Sequence, residues 1–410
     1  MKCAWLGCLV WGSLLIAGSP QSEINVNSRY TVESVQLSGA EESRISAGLR
    51  REIARLTGEK LNASLLEDLA RRIRKELHVR AVSHQVLRGE NPEHVKVVFE
   101  VEGRPRSYEL SIPTFLYHAK QGWSAAVEGT VQISDHRMTA GVVSDGDALA
   151  ERYAGVNARY ENRRVAGNER VGFRFLAETY HQQWNGATRR ASDPDSIPTY
   201  RSRQNLEPTV TLALAGPLTV SVGAGFQRME PEFTAATPQS ANALVTTLRY
   251  HRRMEDSGSD QHELDADYSL RAATRILDSD YVYARHRAAV RYSFERGRHT
   301  IVEHAMAGAI TGRAPLFERF VLGTSSTLRG WNKFDLDPLG GDRVAHNTVE
   351  YRYRVFEVFY DTGAVWSQGQ PMVVRHAAGL GLRHSGFTLA VAFPLRDNRV
   401  EPMFMLGMNY

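Results

Sequence analysis

From about Arg106 to its end the chain has no helical periodicity and instead repeats segments in which apolar and polar residues alternate. Leu218, Val220, Val222, Ala224 and Phe226 alternate with Thr219, Ser221, Gly223, Gly225 and Gln227. Val349, Tyr351, Tyr353 and Val355 alternate with Glu350, Arg352 and Arg354, and Leu264, Ala266, Tyr268 and Leu270 oppose Asp265, Asp267, Ser269 and Arg271. Ala284, Ala288, Val290, Tyr292 and Phe294 likewise oppose Arg285, Arg287, Arg291 and Glu295. A period of two places the two sets on opposite faces of a strand. Alternation alone fits a soluble sandwich as well as a membrane barrel. The segments run roughly 10–15 residues, against about 5–6 in a soluble strand. Their apolar faces are rich in Tyr, Phe and Val, as lipid-facing strands require. The expected fold is therefore mostly β, an antiparallel transmembrane β-barrel over 105–410. Sixteen candidate strands fit, with those at 107–118, 121–134 and 136–148 the weakest. Long connections fall near 184–200, 230–240 and 313–343. They belong outside the membrane, or folded inward in the case of the last.

The N-terminal end agrees with export. Lys2 precedes an apolar run from Leu6 to Ala17, closed by the small residues Gly18 and Ser19, so residues 1–19 read as a signal peptide. Both cysteines, Cys3 and Cys8, lie inside it. The mature chain would have no disulfide, cysteine nucleophile or thiolate metal ligand. Only seven residues precede Cys8, too few for a lipoprotein signal. Beyond residue 19 no apolar run reaches the length of a membrane helix. The net charge of +4 is dispersed, with no basic block, so no nucleic-acid partner is expected.

Residues 30–104 have a different rhythm. Tyr30–Leu37 alternates, then Ile45, Leu49, Ile53 and Leu56 recur at helical spacing up to Gly58. A second helical set follows at Leu65, Leu66, Leu69, Ile73 and Leu77, then extended runs at 81–87 and 94–101. The order strand, helix, helix, strand, strand describes a small α+β domain.

Two short segments carry most of the remaining information. Leu328, Arg329, Gly330 and Trp331 lie within a connection of roughly thirty residues, a length uncommon unless functional or disordered. Phe359, Asp361 and Gly363 follow on a strand. If the loop folds into the lumen, Arg329 can meet Asp361, and an arginine fork on a carboxylate supplies orientation as well as energy. Gly330 and Gly363 would allow close backbone approach. Phe404, Leu406, Met408 and Tyr410 alternate up to the last residue, as a final lipid-facing strand does.

With these segments the chain resembles the BamA/TamA superfamily of outer-membrane assembly and translocation proteins, of the bacterial surface antigen type. Leu328-Arg329-Gly330-Trp331 matches that family's (V/L)-R-G-(Y/F/W) motif, and Phe359, Asp361 and Gly363 its F-x-D-x-G motif. Gly379 to Arg383 and the last two strands continue the pattern, and 30–104 is similar to one periplasmic POTRA domain. The resemblance implies a sixteen-stranded barrel in the Gram-negative outer membrane. It implies extended or unfolded polypeptides and outer-membrane lipid as partners, and the C-terminal strand as the barrel's own assembly signal. Capture of substrate is expected at a sheet edge of the POTRA domain, its last strand or the edge near Val32–Leu37. The chain has room for one such domain, and Thr324 stands where the family often has glycine.

Other chemistry finds little footing. There is no G-x-S-x-G, no H-E-x-x-H, and Gly223-x-Gly225 lacks the third glycine of a phosphate loop. No enzyme activity, cofactor or metal is expected. His84, His181, His286 and His376 are read as solvated or lumen-lining. One rival is a pore that keeps the architecture without assembly work. Another is a hydrolase using Asp265, Asp267 and Asp361, which no nucleophile–base spacing supports.

Overall fold

The structure, a computed structural model, describes residues 29–39, 45–77, 79, 81–102, 107–144, 152–193, 196–232, 237–255, 260–396 and 401–408. The expected signal peptide and Tyr410 lie outside the described residues. Contacts divide the chain into two compact units, Met1–Pro105 and Arg106–Tyr410.

In the first unit β1 (Thr31–Ser38) is followed by α1 (Ala47–Arg55), α2 (Ala63–Leu77), β2 (Ala81–Arg88) and β3 (His94–Glu102). Ser46 caps α1, its Oγ accepting the Leu49 N–H at 3.3 Å, as a first helical turn requires. Leu66, Leu69, Ala70, Ile73 and Leu77 recur on one face of α2 and are buried with Leu49 against Val32, Val97 and Phe99 of the sheet. The sheet order is β1-β3-β2, with β3 parallel to β1 and antiparallel to β2. The last strand is thus the centre of the sheet and cannot serve as an edge, contrary to the sequence-based expectation. Of the two true edges, the start of β1 is occupied: Val32 N donates to Glu59 O at 3.0 Å and Gly58 N to Val32 O at 2.8 Å. β2 is the freer edge, and its Val86 and Leu87 are exposed.

Glu33 on β1 accepts the Glu90 N–H at 2.8 Å and pairs with Lys96 at 3.4 Å, which ties the β2–β3 turn down. The Glu90 hydrogen bond, then Lys96, hold the Glu33 carboxyl below its ordinary range. A depressed folded-state value means that this tie is present above the ordinary carboxylate range and lost as pH falls through the lowered one. Hydrogen exchange of the Glu90 amide, corrected for intrinsic rates, is expected to accelerate only at that acidic end. A Glu33→Gln variant should show the faster exchange at neutral pH.

The second unit is a closed antiparallel sheet. Its strands are β4 (Ser107–His118), β5 (Gly122–Ile133), β6 (His136–Ser144), β7 (Arg152–Asn162), β8 (Val171–Gln183), β9 (Tyr200–Ala215) and β10 (Leu218–Pro231). They continue with β11 (Gln239–Ser240), β12 (Ala243–Glu255), β13 (Gln261–Ala273), β14 (Tyr283–Arg296), β15 (His299–Gly312) and β16 (Arg343–Tyr353). The last are β17 (Phe356–Trp366), β18 (Arg375–His384), β19 (Phe387–Pro394) and β20 (Met403–Met408). Of these seventeen segments β11 is a two-residue piece paired with β10, which leaves sixteen full strands. The bounds follow the alternation to within a few residues: residues 145–148 of the strand expected at 136–148 lie outside the described residues, and β16 ends at Tyr353, where Arg354 turns with φ of 55° instead of continuing the polar face. One end of the barrel has two-residue turns such as 216–217, 297–298 and 354–355. The other carries the long connections, including α3 (Gly186–Ala191) and α4 (Lys333–Leu336).

Ion pairs fill the inner faces and apolar side chains cover the outer ones. Asp267 meets Arg287 inside, while their neighbours Tyr268 and Val290 are exposed outside. His286 and His376 do not line the lumen. They sit on the outer wall, where Nδ1 of each is hydrogen-bonded to a tyrosine hydroxyl, Tyr268 at 2.7 Å and Tyr360 at 2.8 Å.

Among the described residues the barrel closes between β20 and β4 through four register pairs, Met405–Met408 against Phe115–His118, with Ala119 N donating to Phe404 O at 3.0 Å beyond them. By comparison, β14 and β15 pair over fourteen residues. Pro113 falls at a bulge between Ser111 and Thr114, where a strand lacking an N–H cannot continue a ladder. Before it, Tyr108 and Leu110 are exposed on β4, and no described residue of β20 pairs with them.

Candidate functional site

The connection 313–342 folds into the barrel from the long-loop end. Leu316, Phe320, Leu322, Leu328, Trp331 and Phe334 of this loop are buried against the inward residues Ala243, Ala273, Tyr283, Ile310, Val344 and Ala377 of the wall. Trp184 from the β8–β9 connection and Tyr200 at the start of β9 join the same cluster, and Thr188 Oγ1 of α3 donates to Pro338 O at 2.7 Å. Gln121, in the β4–β5 turn next to the closure, donates to Gly323 O at 2.8 Å. The loop is a packed plug.

At its turn Leu328 and Gly330 have φ of 46° and 94°. A Cβ on Gly330 would lie 3.1 Å from Pro394 N, so glycine meets both the left-handed backbone and the close approach to β19. The strained Leu328 is held by its own N–H, donated to His346 Nε2 at 3.0 Å, and its side chain is fully buried. Trp331 donates its indole N–H to His376 O at 2.8 Å and lies under the guanidinium of Arg396, 4.2 Å from the ring centre.

This turn points Arg329 at the wall. Asp361 on β17 accepts from Arg329 three times: from the backbone N at 2.8 Å, from Nε at 3.0 Å and from Nη2 at 2.8 Å. Both residues are buried, Asp361 completely. Nη1 reaches Glu350 on β16 at 2.9 Å and Glu357 on β17 at 3.5 Å. The guanidinium also lies 3.5 Å from the ring centre of Phe359, a cation–π contact. That ring is itself seated on Gly379 of β18, where a Cβ would come within 2.2 Å of it. Phe359, Asp361 and Gly363 thus act through three neighbours: Phe359 under the guanidinium, Asp361 on it, and Gly363 beneath Leu322 of the plug.

The motifs hold only two of the six charges that meet here. Glu350 is bonded to Arg352, and Glu357 to Arg352 at 3.1 Å and Arg383 at 3.2 Å. Three carboxylates and three guanidiniums therefore form one balanced network, which removes most of the cost of burying any one of them. Glu350 and Arg352 were visible as the polar face of one strand. Glu357 and Arg383 become partners only through register, Arg352 with Glu357 across one hairpin. The C-terminal set divides differently: Phe404, Leu406 and Met408 lie on the outward face of β20, away from the plug. Of the acids considered for hydrolysis, Asp361 is enclosed by Arg329, Asp265 is held by Arg249 and His251, and Asp267 by Arg287.

The model of the Omp85 superfamily domain matches residues 152–386. No curated protein matches the sequence significantly. Among solved structures, the chain is similar to BamA from Haemophilus ducreyi lacking POTRA domains 1–3, with a TM-score of 0.64 at 14% identity over 93% of this chain and 84% of that one. It is also similar to CdiB from Acinetobacter baumannii, with a TM-score of 0.51 at 13% identity over 93% and 74% of the two chains. For CdiB from Escherichia coli the TM-score is 0.50 at 11% identity over 98% and 92%. At such identities these structures speak for the fold, while the domain match covers more than half of the sequence. The chain belongs to the Omp85 superfamily.

Proposed function

We propose that the protein is a non-enzymatic outer-membrane factor that assembles or translocates other polypeptides. In this reading the signal at 1–19 exports it, and the first unit is a POTRA domain in the periplasm. Extended substrate adds as a strand to the open edge of β2 and passes through the lumen or the β20–β4 seam. The seam carries the proposal: among the described residues four register pairs close the barrel, against six to fourteen between its other full strands, and Tyr108 and Leu110 are exposed beside it. Exposed Val, Leu, Phe and Tyr on the outer faces all around the sheet support a bilayer as its surroundings. Phe404, Leu406 and Met408 on β20 serve in the same reading as the signal by which the barrel is itself assembled. The Arg329 network holds the plug against the wall while the seam works.

The pore reading has less support, because the long-loop end is filled by the packed plug. Photo-crosslinking in cells separates the two. A benzophenone side chain in place of Val86 on β2 is expected to trap unfolded outer-membrane polypeptides, whereas one in place of Glu59, beside the occupied start of β1, is not. Absence of polypeptide adducts at Val86, with steady single-channel conductance from the purified protein, would favour the pore.

A further inference from the structure

We infer that Glu318 is a second anchor of the plug, opposite in charge to Arg329, and that the two halves of the loop are fastened independently. Glu318 lies eleven residues before Arg329 and is buried. Its carboxylate is 3.3 Å from Arg271 Nε on β13 and 3.6 Å from Arg285 Nε on β14, and its backbone oxygen accepts from Arg285 Nε at 2.7 Å. Arg271 also bonds Glu207 on β9, which Arg174 on β8 reaches at 3.3 Å. Gly225 makes room for this arrangement, since a Cβ there would lie 2.7 Å from Arg271 Nη1.

The aromatic neighbours of Glu318 are gripped by the same wall. Arg203 lies over Phe317 and Arg285 over Phe320, each 4.6 Å from the ring centre. Phe320 also fills the place of a side chain on Gly308, where a Cβ would meet the ring at 2.3 Å. The first half of the loop thus presents an acid to arginines on β13 and β14 and an aromatic ring to one on β9. The second presents an arginine to acids on β16 and β17. No ion pair among the described residues joins the two sets, so releasing one leaves the other engaged.

This inference concerns how the plug is held and does not depend on what the barrel transports. Hydrogen exchange on the purified full chain in detergent tests it. Glu318→Gln keeps the shape and removes the charge. It is expected to raise exchange about tenfold over 316–322 while leaving 328–334 at the wild-type rate. Arg329→Ala should do the reverse. Arg271→Gln, which leaves Glu207 its bond to Arg174, should reproduce the Glu318→Gln pattern, and Glu318→Asp should restore part of the protection. An equal rise in both segments, or no rise at 316–322 in either Glu318→Gln or Arg271→Gln, would overturn the second anchor.

Discussion

Arg329→Ala is expected to destabilise the barrel by about 3–5 kcal/mol, the cost of stranding one member of a desolvated ion pair. The partners decide where that cost falls. Glu357 retains Arg352 and Arg383, and Glu350 retains Arg352, so both stay neutralised. Among the described residues Asp361 has no ion-pair partner but Arg329, and its side chain is 0% exposed. The penalty therefore concentrates on one carboxylate. The measurement is equilibrium urea unfolding of the protein in lipid vesicles. The double variant Arg329→Ala with Asp361→Ala should lose clearly less than the sum of the singles, because each single strands what the other removes. Glu350→Gln should cost little, since Arg329 keeps Asp361. If the two singles prove additive, the pair is not coupled and the loop is held by packing alone.

The parts of this arrangement that could be read in the sequence differ from the hidden parts in a physical way. Alternation located nearly every strand because a wall with lipid on one side and polar contacts on the other forces period two along its whole length. Arg329 and Asp361 stood out through their glycine and aromatic settings, which only a tight turn and a ring-on-backbone contact require. Glu357, Arg383 and Glu318 have no such setting. Glu357 and Arg383 stand among small or apolar residues on the inward faces of their strands and Glu318 in the loop, so only closure of the sheet and folding of the plug select their partners. The centre of the N-terminal sheet was missed for a related reason: the β1–β3 pairing is parallel and long-range, with no local turn to announce it. Pro113 was legible in principle, since proline within a strand marks an edge or a bulge, and here it sits at the bulge between β4 and β5.

Closing that seam covalently should abolish assembly or translocation while leaving the barrel folded. Tyr117 and Leu406 are register partners across it. The Cα separation of directly opposed antiparallel residues, about 4.5–5.5 Å, falls within disulfide range. The sequence has no cysteine beyond Cys8, so Tyr117→Cys with Leu406→Cys would form a bond without competitors in the barrel. Among the described residues the four register pairs and the Ala119–Phe404 bond amount to roughly five backbone hydrogen bonds, or about 2.5–7.5 kcal/mol at the usual net value per bond. Thermal opening against such a barrier is feasible. Opening between β14 and β15, with fourteen pairs, is not. The oxidised seam variant is expected to fall to less than about a tenth of wild-type activity, the scale of blocking a required population shift, and to recover with reductant. A matched pair at Ala288 and Ala307, register partners on that long interface, should have no effect. Full activity of the oxidised seam variant would mean that substrate leaves without parting β4 from β20, and the route would then have to run through the lumen past the plug.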